Sequence, residues 1–274
     1  MMDFTIEKYS LLLKALHEAG YNSVLRFKDT MERQVMLRHD VDIRPQNSLV
    51  TARIEADGGM NAIYYFRAVR ESWDEGIIRE IEAMGHEIGY HYESLTTSKG
   101  NVEQAYADFC ANYSRLSQLL GYQVRTICMH GSPRSDYDSR DIWKTYDYKA
   151  LGIDYEPYFD TDWSRTLYLT DTGRRWDGYR MSVRDKIAGW QEQWESEGLR
   201  FHQTDDIITF LYSDKANLSK GVERILITTH PQRWSSTKWS WFKELVTQNV
   251  KNRLKQYYIR KAVVKDFSEK GNNQ

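Results

Sequence analysis

Apolar and polar positions along this chain follow two periods, one of helices and one of strands. Tyr9, Leu12, Leu13 and Leu16 recur at helical spacing, and Gly20 stands where that helix should stop, predicting a helix over about 5–20. The apolar run Val35-Met36-Leu37 predicts a strand that runs on into Asp40 and Asp42. Asn47 to Ala56 reads as a helix ended by Gly58-Gly59, and Asn61 to Val69 as a second strand. Ser72-Trp73-Asp74-Glu75 fits a capping box, with Ile77, Ile78, Ile81 and Met84 on one face behind it and Gly85 as the stop. Glu87 to Tyr92 is a third strand. Val102, Tyr106, Phe109, Tyr113, Leu116 and Leu120 mark the clearest helix, closed by Gly121. Val124 to Met129 and Ile153 to Phe159 read as fourth and fifth strands. From Asp160 to Trp194 the periodicity is weak, which predicts long loops with a short hairpin around Thr166 to Leu169. Leu199 to His202 reads as a strand, Asp205 to Tyr212 as a helix and Arg224 to Thr229 as the last strand. A long final helix covers Trp239 to Tyr258, and its pattern continues to 265.

Strands alternating with helices imply a parallel sheet with right-handed crossovers. About seven such units suit an α/β architecture of the TIM-barrel-like (β/α) kind better than an open sheet. Four prolines and no Ser/Gly/Pro-rich tract leave no linker, so residues 1–274 read as a single domain with the first and last helices packed on the barrel. Functional groups in such barrels gather at the C-terminal ends of strands. Asp40, Asp42, His91, His130 and His230 all fall there.

Composition narrows the function classes. With 41% hydrophobic and 28% charged residues the chain is of ordinary globular type. A net charge of −1 offers no broad attraction for nucleic acid. The 19 Tyr and 9 Trp could stack on sugars, though core filling is the default for most of them. The first residues lack the basic start and apolar core of a signal peptide, and no run of about 18 apolar residues would span a membrane. Cys110 falls in a helical pattern and Cys128 in a strand pattern. A reduced, buried pair is expected, consistent with a cytoplasmic protein, with a disulfide as the alternative.

The chemistry begins with the acids. On a strand, Asp40 and Asp42 share a face and repel, so one is tied to a cation or protonated. A structural pair held by Arg38, Arg44 or a helix N-terminus is the plainer reading. Three isolated histidines, His91, His130 and His230, also follow strands, and together with the acids they suit metal-assisted hydrolysis. A divalent ion polarises a carbonyl and lowers the pKa of water towards about 7, a carboxylate takes up a proton, and an imidazole delivers one. Carboxylate and imidazole donors suit zinc, though other divalent ions fit.

Arg38-His39-Asp40-Val41-Asp42, Gly85-His86-Glu87-Ile88-Gly89-Tyr90-His91 and Thr228-Thr229-His230-Pro231, in that order, resemble the polysaccharide deacetylases with NodB homology, carbohydrate esterase family 4. The resemblance covers roughly residues 35 to 235. It implies a distorted (β/α) barrel and a divalent metal used to remove acetyl groups from amino sugars. By the same resemblance Asp40 would be the general base, Asp42 and His91 metal ligands, and His230 the general acid. The family pattern continues to another histidine four residues after the second motif's last one, and this chain has Leu95 there. Leucine cannot ligate. His130, in Cys128-Met129-His130-Gly131-Ser132-Pro133, is the favoured third ligand because it ends a strand, with Glu93 as the alternative. His86 is expected to brace a turn, and His39 to face the core by alternation.

Asp171 and Trp176 could line a substrate groove or belong to a solvated loop. The final helix combines Phe242, Leu245, Val246, Leu254 and Tyr257 with Lys251, Arg253, Lys255, Arg260, Lys261 and Lys265. It is expected to pack on the barrel, with peripheral contact to an anionic membrane as the other reading. The chain thus reads as a cytoplasmic, metal-dependent hydrolase that removes an N-acetyl group from an amino sugar or surface-glycan precursor. The alternatives are hydrolysis of another non-peptide C–N bond, as in a small cyclic amide, and a catalytically silent glycan-binding barrel.

Overall fold

A computed structural model describes residues 2–132, 135–177, 186–213 and 222–249. Strand β2 (Gln34–Val41) is buried along its whole length, because it has a strand on each side and helices behind it. Around it the parallel sheet runs β5 (Ile127–Met129), β4 (Glu87–Tyr92), β3 (Ala62–Phe66), β2, β7 (Arg224–Thr229), β6 (Thr166–Thr170). A two-residue strand, β1 (Asn22–Ser23), pairs with the start of β2. The sheet curls into a half-barrel, in keeping with the distorted (β/α) barrel that the motif resemblance implied.

Helices α1 (Ile6–Glu18), α2 (Pro45–Asp57), α3 (Glu75–Ala83), a short α4 (Ser94–Thr97) and α5 (Val102–Leu120) surround the first five strands. Their ends follow local chemistry. Thr5 and Asn101 accept hydrogen bonds from Lys8 N and Gln104 N as N-caps of α1 and α5. Gly121 closes α5 with φ of 78°, a left-handed conformation that glycine adopts without steric penalty. After β5 come α6 (Pro157–Asp160), α7 (Trp190–Ser196) and α8 (Thr204–Leu211), and a further helix begins at 238.

The structure corrects four sequence expectations. Asp74, not Ser72, caps α3, because Ser72 is buried and its hydroxyl instead donates to Val41 O at the end of β2. The fifth strand shrinks to one bridge, Thr126 to Tyr155, since Pro157 and the Glu156 cap start a helical turn at once. Thr166–Thr170 is no hairpin but a strand parallel to β7, a partner far down the chain that local pattern cannot reveal. Leu199–His202 forms no strand; Phe201 enters the core instead. The final helix is described from 238 to 249, and its expected continuation to Tyr258 and 265 lies outside the described residues. Cys110 and Cys128 are free thiols. Among the described residues no helix is long and apolar enough to cross a membrane.

On the outer face of the sheet a buried polar network joins five elements, α1, α2, β2, β3 and β7. Glu55 of α2 accepts from Tyr64 at 2.6 Å and from Tyr9 of α1, and meets His39 Nε2 at 2.6 Å. Thr229 Oγ1 lies 2.7 Å from the other His39 nitrogen. His86 braces the entry to β4, with Nδ1 accepting from Ala62 N and Nε2 donating to Ala52 O. Burial opposes ionisation of Glu55, but His39, His86 and Tyr64 outweigh it and hold its pKa below the usual carboxylate value. Burial likewise lowers the pKa of His86.

Both shifts are downward, so both contribute stability at neutral pH that is lost on acidification. The loss begins below about pH 6.5 for His86 and below about pH 4.3 for Glu55. Replacing Glu55 by Gln breaks a fully buried charged network and is expected to destabilise the fold by about 3 kcal/mol at pH 7. Urea unfolding of both chains at pH 7 and pH 4 checks this. The gap should narrow in acid, and a constant gap would show that Glu55 does not act through its charge.

Candidate metal centre

Strand alternation selects which side chains enter the barrel. Arg38 and Asp40 of β2 point inward while His39 points outward, and register sets Tyr65 beside Asp40, Gly89 beside Tyr65, and Cys128 beside His91. Just beyond the strand ends lie Asp42, Arg67, Glu93, His130 and His230. His130 N donates to Tyr92 O at 2.8 Å, extending the β4–β5 ladder by one residue. The expected site residues on four strands therefore converge.

Asp42, His91 and His130 offer donor atoms that all lie within 4.8 Å of one another. Asp42 Oδ1 is 3.7 Å from His91 Nε2 and 3.1 Å from His130 Nδ1, and the two imidazole nitrogens are 3.3 Å apart. His91 Nδ1 donates to Cys128 O at 2.9 Å, which leaves Nε2 as the nitrogen facing the cluster. Burial pushes His91 down to about 4, so it is a neutral imidazole at neutral pH, the state that ligates. Burial also disfavours charge on Asp42, yet His130, His230 and His91 hold it well below its ordinary value. Asp42 Oδ1 is buried and accepts no well-directed hydrogen bond. An orphaned carboxylate oxygen between two imidazoles fits a divalent cation.

Asp40 stands deeper. Arg38 Nε and Nη2 donate to its two oxygens at 2.8 and 2.7 Å, with both side chains buried. Burial opposes its charge, but Arg38, His91 and His230 overcome this and hold the carboxyl at about 2. A second grouping of Asp40, His91 and Cys128 meets the same distance condition. The bidentate arginine already occupies Asp40 there, so the cation fits the Asp42 side better. Arg38 rests against the rings of Tyr65 and Tyr158, 5.7 and 5.2 Å from their centroids. Gly89 makes room for this floor, since a Cβ there would meet the Tyr65 ring at 2.5 Å. Arg44 takes no part in holding the acids; it pairs with Glu244.

His230 Nδ1 contacts Asp171 Oδ1 at 2.6 Å, leaving Nε2 towards Asp42 Oδ2 at 3.9 Å. Asp171 is fully buried and also accepts from His230 N, Arg233 and Trp234. It orients an imidazole rather than lining a groove. Trp176 is buried beside Phe4 and Trp234, donates to Thr204 Oγ1 and borders a small cavity with Leu167, Leu169, Trp194 and Phe201. Its apolar bulk in a long weakly periodic stretch gave no sign of which way it turned.

Glu93 lies behind His130, 3.9 Å from Nε2, and its Oε1 takes two hydrogen bonds from Arg67. Arg67 also donates to Asp42 O. Sequence reading missed Arg67, although the inward period through Ile63 and Tyr65 leads to it. It also missed Gln232, which donates to Asp42 Oδ2 at 3.3 Å from the turn after His230. Leu95 packs with Ala105 and Ile142 in an apolar cluster and is not part of the Asp42, His91 and His130 grouping.

No protein-family model matches the chain, and no curated protein matches it in sequence. Among solved structures, that of Bacillus subtilis PdaA, a family 4 carbohydrate esterase, is similar at 13% identity with a TM-score of 0.39. The match covers 88% of this chain and 83% of that one.

Calorimetric titration of the full chain with zinc should find one site. His130→Ala or Asp42→Asn is expected to weaken binding by about 100-fold, and Glu93→Gln by about tenfold or less. Unchanged affinity in His130→Ala would remove His130 from the centre.

Proposed function

We propose that this chain is a metal-dependent hydrolase that removes an N-acetyl group from an amino sugar or a glycan precursor in surface-polysaccharide biosynthesis. The observation that carries the reading is the Asp42, His91 and His130 grouping beside a buried, ionised Asp40 and an oriented His230. The sugar assignment follows the resemblance of the three motifs to the NodB-type deacetylases. Asp42, His91 and His130 would hold the ion, and one carboxylate with two imidazoles suits zinc. When bound, such an ion supplies Lewis-acid polarisation of an amide carbonyl and eases deprotonation of water.

The remaining work falls to side chains. Asp40 Oδ2 lies 3.7 Å from His91 Nε2, at the edge of the cluster. Arg38 fixes this carboxylate and keeps it ionised, while each oxygen retains a lone pair to accept a proton from water. An amide nitrogen leaves poorly as an anion, so a proton must reach it. His230 Nε2 is placed for that delivery because Asp171 occupies Nδ1 and fixes the ring. The two free thiols suit a reducing compartment, and the cytoplasm is the proposed location.

Acetate release from N-acetylhexosamine oligomers or nucleotide-linked N-acetyl sugars tests the reading. Asp40→Asn and His230→Gln should each lower kcat by about 10²–10⁴ while zinc content stays at one per chain. Release that survives Asp40→Asn unchanged would sink the proposed base.

A further inference from the structure

The helix from 238 to 249 presents two unlike faces. Glu244 and Gln248 are buried on its inner side. Trp239, Phe242 and Val246 lie on the outer side, 75%, 54% and 47% exposed. Their spacing of three and then four residues aligns them in one stripe, with exposed Lys238 and Lys243 nearby.

The helix is tied to the strand-end loops that carry the candidate site. Arg44, two residues after Asp42, donates to Glu244 at 3.1 Å. Arg174, three residues after Asp171, donates to Trp241 O at 3.1 Å and stacks over the Trp241 ring. Both arginines have left-handed backbones, with φ of 56° and 59°, a conformation non-glycine residues keep only when their surroundings impose it. The stripe therefore belongs to a helix anchored at the same end of the barrel as the site.

Charge narrows what covers the stripe. The sequence continues from 250 to 265 with Lys251, Arg253, Lys255, Arg260, Lys261 and Lys265, and reaches no Asp or Glu before Asp266. A second copy docking isologously would bring two such basic runs together. Anionic lipid meets both requirements, with acyl chains for the stripe and headgroups for the cations.

We propose that the outer face of this helix, Trp239, Phe242 and Val246, docks on an anionic membrane surface and presents the strand-end face of the barrel to it. The consequence for substrate rests on the hydrolase reading: an N-acetylated glycan held at the membrane by a lipid carrier.

Co-sedimentation of the full chain with phosphatidylcholine vesicles, with and without phosphatidylglycerol, tests the docking. The chain should pellet with the anionic vesicles and be released by salt. Trp239→Ser/Phe242→Ser/Val246→Ser should lower the bound fraction about fivefold or more, and Lys251→Glu/Arg253→Glu/Lys255→Glu should do the same. The melting temperature and zinc affinity of the first variant should match the parent, because its three side chains are exposed. No binding to anionic vesicles, equal binding to neutral ones, or equal binding by both variants would overturn the proposal. So would a concentration-dependent dimer, abolished by the first variant, in a chain that ignores vesicles. Binding is read without turnover, so its failure is distinct from failure of the hydrolase reading.

Discussion

A central strand that buries three ionisable side chains in succession governs this structure. Arg38, His39 and Asp40 are each at most 2% exposed, and an unpaired charge at any of them would destabilise the fold severely. Alternation sends them to opposite faces, so each face needs its own partners. Inside, Arg38 and Asp40 pair with one another along the same strand through Nε and Nη2. Outside, His39 depends on Glu55 from α2 and Thr229 from β7, and Glu55 draws in Tyr9 from α1. The helical layer is thereby tied to the sheet by polar groups as well as by apolar packing.

The inner pairing shapes the candidate site. Because Arg38 takes both oxygens of Asp40, that carboxylate is fixed in orientation and in charge before any ligand arrives. Two residues on, Asp42 has no such guard. Its side chain is 20% exposed and that of His130 15%, against 1% for His91. The site therefore grades from a dry, rigid floor to a wetter rim.

Much of this was legible in the sequence, for a definable reason. Strand periodicity and residue order alone brought Asp40, Asp42, His91, His130 and His230 to one end of the barrel, because each sits at the close of an apolar run. The same logic separated His39 from the site. What it could not read were features fixed by partners distant in sequence. Parallel pairing of β6 with β7, the turn of Trp176 into the core, and the burial of Asp171 beneath His230 all depend on packing after the strands are in place. Ser72 shows the same limit on a small scale, since a good capping residue was claimed by the neighbouring strand's carbonyl.

Leu95 lies in an apolar layer rather than in the cluster around Asp42. Leu95 is the second residue of α4 and packs with Ala105 and Ile142, and α4 packs on α5. His130, one step past β5, joins the cluster with Asp42 and His91, and its position depends on register between β4 and β5. That register is held by pairs from Tyr90–Ile127 to Tyr92–Met129 and by the His130 N to Tyr92 O bond. Arg67 adds a second constraint through Glu93, behind the other nitrogen of His130. A centre built across strands in this way gains rigidity from the sheet itself, and its geometry is only as good as the pairing of a three-residue strand.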